Sequence, residues 1–500
     1  MKQQRTFPTL DHVWLFAALI LIGLRPLLTP IPANDFWWHM ATGRIIVETG
    51  SIPQVDSFSY TQAGESFFNQ SWLSQVLLYG LYSIGGAALL LIVQSIVLAA
   101  TYWLILKICL WRTNNVKLSV SLLLLTTLPL SFDNWLVRPQ SYTFLLFAAF
   151  LAILSAYRLG RFKRLWLLPI LMVLWVNLHG SFVLGGVLIG ATFVCEWLKQ
   201  FAAGLRKSMR PNEPPSEAYQ PPLKPLFISG VVTALALLIN PRGFAVLGYV
   251  RNLLSSSSVT TLVTEWAPPT IRETNGLIFF LFLFLCIAVL AYSTRKPDFT
   301  DMVLAAMFLW LALGAVRNIV WFGMIATPLI ASQLATLLPA SNGARRSAPG
   351  VPALNWALVG VLSLLYFLGL PWIKTSLDLP PAVGALFEES TPIEAVACMQ
   401  EQPERPQRLF HEMGYGSYLI WQTPEQKVFI DPRIELYPYS QWVDYINLSA
   451  GNNVDALIEK YQFDGMLLDT TRQLGLINAL EQHNNWRTVC STEHTVYMLP

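Results

Sequence analysis

The chain has 500 residues, of which 54% are hydrophobic and only 13% are charged. A soluble globule of this length cannot hide that much apolar surface, so an integral membrane protein is expected. The net charge of +3 is too small to point to a nucleic-acid partner, and none is expected.

In chain order, Lys2 and Arg5 precede an apolar run at 13–29. Pro30-Ile31-Pro32-Ala33 ends on a small residue, as a signal-peptide cleavage site does. An uncleaved first span is preferred, because the polar segment behind it makes sense only when tethered at the membrane. That segment, 30–71, contains Asn34-Asp35-Phe36-Trp37-Trp38-His39. If 36–48 is helical, Asp35 and His39 share one face, and Trp37 and Trp38 seat the helix in the membrane interface. The structural alternative is that Asn34 or Asp35 only caps the helix and the tryptophans form an aromatic belt. The apolar stretch 72–84 is too short to cross alone and is broken from the next run by Gly85-Gly86. It reads as an interfacial or re-entrant helix.

Further apolar runs follow at 86–108, 118–132, 141–157, 165–179, 181–199, 225–240, 275–293, 301–316, 318–338 and 354–373. With the first run they make about eleven spans, an odd number that puts the two chain ends on opposite sides. Alternate loops hold about 17 and about 6 Lys and Arg. The basic kind, as at Arg158, Arg161, Lys163 and Arg164, is expected in the cytoplasm. Residues 203–224 and 339–353 read as linkers.

The ends of the spans expected outside are polar in a recurring way: Arg138-Pro139-Gln140, Asn177-Leu178-His179-Gly180, Asn240-Pro241-Arg242-Gly243 with Glu265-Trp266, and Arg317-Asn318. An ion-coupled transporter would instead place ionisable groups near mid-span. Arginine grips phosphate oxygens in pairs and keeps its charge, so Arg138, Arg242 and Arg317 are candidates for a lipid phosphate. The bland alternatives are headgroup anchors for the arginines and a hydrogen-bonded turn for His179.

From 374 onward the pattern changes to short apolar runs (408–412, 427–431, 465–469, 495–499) alternating with helical stretches (391–402, 438–449, 453–460, 472–483). A small α/β domain outside the membrane is expected over 374–500. Gly414 and Gly416 make too weak a glycine pattern for a nucleotide site. Cys398 and Cys490 are candidates for a disulfide if the domain is exported. Asp431-Pro432-Arg433-Ile434-Glu435 is a charged loop that either meets a substrate, through Arg433, or packs the domain onto the bundle.

The layout of residues 1–373 resembles the GT-C-fold membrane glycosyltransferases, which use sugars carried on polyprenyl phosphates. Asp35-Phe-Trp-Trp-His39-Met-Ala-Thr-Gly43, Arg138-Pro139-Gln140 and Asn177-Leu178-His179-Gly180 resemble a bacterial branch of that superfamily. The resemblance implies an all-α polytopic bundle with an exported α/β domain in the bacterial cytoplasmic membrane. It also implies inverting hexosyl or pentosyl transfer from a polyprenyl-phosphate sugar. Asp35 would be the catalytic base with His39 beside it. Arg138, Gln140, His179, Arg242, Glu265 and Arg317 would bind substrate, with Trp37, Trp72 and Trp266 lining a sugar pocket. The acceptor, a glycan, a lipid or a protein, is left open. Many GT-C enzymes carry paired acids in this loop, whereas Asp35 has Asn34 beside it, so a divalent metal is not favoured. Asp56 is the next acid and a candidate second participant. The alternatives are a transporter or flippase for a lipid-linked glycan and a non-catalytic protein of cell-envelope assembly.

Overall fold

A computed structural model describes residues 8–210, 219–255, 261–338, 350–403, 405–482 and 485–500. Each of the expected spans falls on an apolar helix. Six are long and apolar enough to cross a membrane: Leu10–Leu28, Trp72–Thr113, Pro139–Arg158, Gly180–Met209, Thr274–Tyr292 and Val316–Leu337. The others, Val116–Thr127, Leu167–Leu178, Leu223–Ala236, Phe299–Gly314 and Pro352–Leu368, are 10–17 residues long. That is below the ~20 residues of a full crossing. The chain is thus a multi-pass membrane protein with six helices of spanning length among the described residues.

Charge marks one end of the bundle. Arg158 donates from Nε to Glu196 at 2.8 Å, from Nη1 to Asp301 at 2.6 Å, and from Nη2 to Asp298. Arg112 adds a second grip on Asp301, and Lys199 reaches Glu196 at 2.7 Å and Asp298 at 2.9 Å. This network ties four helices together. Since Pro139–Arg158 has 20 residues, Arg138 stands ~30 Å away at the opposite end.

That opposite end carries the segment after the first span. Asp35–Thr49 forms a helix stopped by Gly50 in the left-handed conformation, φ +66°. The next helix, Trp72–Thr113, is broken where expected, at Gly85 and Gly86, the latter with φ +61°. Its first part packs so closely on Asp35–Thr49 that a Cβ at Gly43 would stand 2.2 Å from the Gln75 carbonyl oxygen. Only glycine fits there. Trp37 and Trp38 are both buried, against protein and not in a membrane interface.

The covering layer is the C-terminal domain. It has four strands, β1 (Leu409–His411), β2 (Gly465–Asp469), β3 (Arg487–Ser491) and β4 (Thr495–Leu499), in the order β1-β2-β4-β3. The β1–β2 pair is parallel and the others are antiparallel. Helices Ile393–Glu401, Tyr439–Ser449, Val454–Tyr461 and Leu474–Gln482 match the sequence pattern. Residues 427–431 do not form a strand. Val428 instead makes one bridge with Ser59, because the segment after the first span offers its backbone to it. Polar β3 and the helix Met413–Gln422 escaped the pattern. Cys398 and Cys490 are joined in a disulfide with Cα atoms 6.6 Å apart, within the usual range.

The domain is docked by several contacts. Ser417 Oγ accepts from the Trp38 amide at 2.9 Å, Arg44 lies 4.5 Å over the Trp421 ring, and Ile31 pairs with Phe387. One apolar cluster runs from Leu27, Phe36 and Leu78 into Leu409, Tyr418 and Leu467. Bundle and domain therefore share a core at this end.

Candidate active site

A cavity of about 350 Å³ opens at the domain-covered end. Asp35, His39, Arg138, Gln140, His179, Glu265 and Arg317 all line it. Seven sequence candidates from five separate segments thus meet in one place.

Local folding explains their aim. Asp35 opens its helix, where the positive dipole end favours a carboxylate. Trp38 and His39 follow at i+3 and i+4 on the same face, and both line the cavity. Arg138 is extended, φ −153° and ψ 164°, because Pro139 starts the next helix. A residue before proline is driven out of the helical region, so Arg138 projects from the helix end. His179 is likewise extended at the end of Leu167–Leu178. Glu265 and Arg317 sit on two short 3₁₀ turns joined by a hydrogen bond from Val316 N to Ala267 O at 3.0 Å. The Arg317 guanidinium lies 4.7 Å over the Trp266 ring.

Arg138 Nη1 donates to Glu265 at 2.8 Å and stands 4.0 Å from Asp35. Its Nε and Nη2 are buried and have no protein partner. The cavity wall presents two guanidinium groups, Arg138 and Arg317, a pairing suited to an anionic ligand. Burial lifts the Asp35 carboxyl above its usual range; Arg138 opposes this and Glu265 adds to it. Burial pulls Glu265 the same way, but Arg138 and Arg317 outweigh it and hold Glu265 low.

The surroundings of both histidines favour the neutral form. Burial, then His179 and Arg138, push His39 well below its usual value. Burial, then Arg317 and Arg138, push His179 down to about 3. Asn69 donates to Gln75 Oε1 at 2.7 Å, so the Gln75 amide nitrogen donates to His39 Nδ1, 3.1 Å away. Ser181 N donates to His179 Nδ1 at 3.1 Å. Each imidazole therefore carries its proton on Nε2, as a donor.

Five candidates lie elsewhere. Trp37, one residue round the helix from Trp38, packs 4.9 Å from Phe387 and 5.2 Å from Tyr418, away from the cavity. Asp56 and Arg433 are not open to a substrate, since their side chains are 0% and 2% exposed. Arg433 holds Asp56 at 2.7 Å and Asp431 at 2.6 Å, and Ser59 donates to Asp56 at 2.6 Å. This saturated cluster clasps the 54–67 segment to the domain. Arg242 stands in an adjoining cavity of about 280 Å³, 5.0 Å over the Phe68 ring, with Trp72 and Asn177. Phe68, Asn69 and Gln70 line both cavities and partition them. Trp266 does line the main cavity. So do Tyr249 and Glu435, which sequence reasoning did not select. Glu435 belonged to the noted charged loop, while Tyr249 gave no signal.

A divalent cation does not fit this donor set. Asn34 stands where a second acid would adjoin Asp35, and the Arg138 cation is within reach of both Asp35 and Glu265. Among the described residues no three His, Cys, Asp or Glu side chains cluster as a metal site.

No protein-family model matches the chain, and no curated protein matches it in sequence. A solved structure does: the crystal structure of the Archaeoglobus fulgidus oligosaccharyltransferase in the apo form, at a TM-score of 0.54 and 14% identity. The match covers 91% of this chain and 69% of that one. That enzyme is of the GT-C fold. This chain shares its fold. At 14% identity the likeness concerns architecture.

Proposed function

We propose that the protein is a membrane glycosyltransferase that moves a hexosyl or pentosyl group from a polyprenyl-phosphate donor to an acceptor. The observation that carries this reading is the cavity itself, which brings the Arg138 and Arg317 cations beside Asp35 at one end of the bundle. A phosphate ester supplies the oxygens that guanidinium groups grip. Sitting at one end of a membrane bundle, the cavity suits a phosphate delivered by the lipid itself.

The acceptor oxygen attacks the anomeric carbon, the bond from that carbon to the phosphate oxygen breaks, and the configuration inverts. Asp35 takes the acceptor's proton; its raised affinity for protons suits a general base. The electron pair leaves on the lipid phosphate, whose charge Arg138 and Arg317 stabilise, with the Nε2–H groups of His39 and His179 as neutral donors. No step requires a metal. We place the cavity on the outer face of a bacterial cytoplasmic membrane, with the N-terminus inside. The basic loops at the far end and the Cys398–Cys490 disulfide both support that orientation.

The test is turnover of labelled polyprenyl-phosphate sugars by the purified protein in lipid, with and without Asp35→Asn. The expected result is transfer by the native protein and a loss of ~10²-fold or more in the variant. Undiminished transfer by the variant would remove Asp35 from the role of base. Binding of donors without any transfer by the native protein would favour a transporter or an envelope-assembly protein.

A further inference from the structure

One carboxylate of the cavity has no role in the donor half. Glu435 comes from the C-terminal domain, on the 3₁₀ turn Ile434–Leu436. The saturated Arg433–Asp431–Asp56 cluster fixes that turn, and Pro432, Ile434 and Glu435 then face the cavity. Arg138 and Arg317 are engaged with Glu265, Asp35 and Trp266, and among the described residues Glu435 makes no ion pair with either. The Tyr249 hydroxyl donates to it at 3.5 Å. Tyr249 is stacked on Phe68, ring centroids 4.7 Å apart. The cavity wall here therefore combines a carboxylate outside the ion pairs of Arg138 and Arg317, a phenol and aromatic rings, with the amides of Asn34 and Gln70 nearby. A carboxylate accepts hydrogen bonds only, and aromatic rings cover the C–H faces of a pyranose. A phosphate is repelled by such a group, whereas a pair of hydroxyls is held by it.

Resting on the transferase reading above, we propose that Glu435 is the acceptor-binding carboxylate. With Tyr249 it holds neighbouring hydroxyls of a carbohydrate acceptor, so the C-terminal domain completes the active site. Desolvation raises the Glu435 carboxyl from its usual value, opposed by its own backbone N–H and Arg433 and reinforced by Asp431 and Asp35.

The test is a crossed pair of binding measurements on the full chain in lipid. One probe is a panel of immobilised short oligosaccharides, and the other is a labelled polyprenyl-phosphate sugar. Glu435→Gln is expected to weaken oligosaccharide binding ~10-fold or more, Tyr249→Phe by less, and Arg138→Ala to weaken donor binding instead. Oligosaccharide binding by Glu435→Gln equal to the native protein's overturns the proposal. So does equal loss of both ligands in both variants. Native protein that binds no oligosaccharide but takes sugar onto a peptide overturns the carbohydrate class. If the native protein turns over no donor yet binds oligosaccharide through Glu435, the transferase reading fails while the glycan subsite stands.

Discussion

The two ends of the bundle each carry a buried arginine among carboxylates, and they differ in saturation. Arg158 uses Nε, Nη1 and Nη2 on Glu196, Asp301 and Asp298. Arg138 uses Nη1 on Glu265 and leaves Nε and Nη2 without protein partners. Glu196 and Asp301 are 3% and 12% exposed and Asp298 is 39% exposed, whereas Glu265 and Asp35 are 36% and 37% exposed. The Arg158 cluster holds helices together, and the Arg138 cluster lines a cavity. Arg433, saturated by Asp431 and Asp56, belongs with the first kind although it lies near the cavity.

Substituting each arginine sharpens the contrast. Arg158→Ala removes three charge-assisted hydrogen bonds, although Lys199 still holds Glu196 and Arg112 still holds Asp301, and is expected to destabilise the protein by ~1–3 kcal/mol, read from its unfolding midpoint in detergent. Arg138→Ala frees carboxylates that already meet solvent. Its stability should stay within about 1 kcal/mol, while sugar transfer falls ~10²–10³-fold. Equal stability losses in the two variants would erase the distinction.

The covering domain gives the next effect. Reducing Cys398–Cys490, whose ends are 92 residues apart, should cost on the order of 2–4 kcal/mol, read as a lower unfolding midpoint of the domain. Gly43→Ala should cost ~1–3 kcal/mol by forcing its helix off Gln75. It should also reduce transfer, because Gln75 orients His39.

The smallest effect is a matter of pH. The Asp35 carboxyl is raised in the folded protein. It therefore costs stability above that folded value, and the cost vanishes as pH falls below the unfolded value. Asp35→Asn should melt higher than the native protein near neutral pH, with the gain disappearing in acid. Native transfer should decline on acidification before ordinary aspartates protonate. A gain that grew in acid would reverse the assigned shift.

What the sequence revealed follows the same logic. Asp35 and His39 were legible because helical spacing fixes a shared face, and Arg138 because it is a guanidinium in a polar cluster at a span end. The Gly85-Gly86 break and most C-terminal elements showed in the apolar pattern. Saturation was not legible. Arg433 and Asp56 look like site residues until they are seen to pair with each other, hundreds of positions apart in sequence. Trp37 and Trp38 differ only by a helical rotation whose reference direction comes from the docked domain. Tyr249 and Glu435 needed that domain placed before either could be seen facing the cavity. Residues 427–431 carry a strand's composition but find a loop as partner.

Arg138 is where the functional account stands or falls. Binding of a labelled polyprenyl-phosphate sugar to the purified protein in lipid nanodiscs should be measured for the native chain, Arg138→Ala and Arg317→Ala. The account predicts saturable binding by the native protein and a loss of at least ~10-fold in each variant, greatest for Arg138→Ala. Equal binding by all three would contradict it, as would no binding by the native protein.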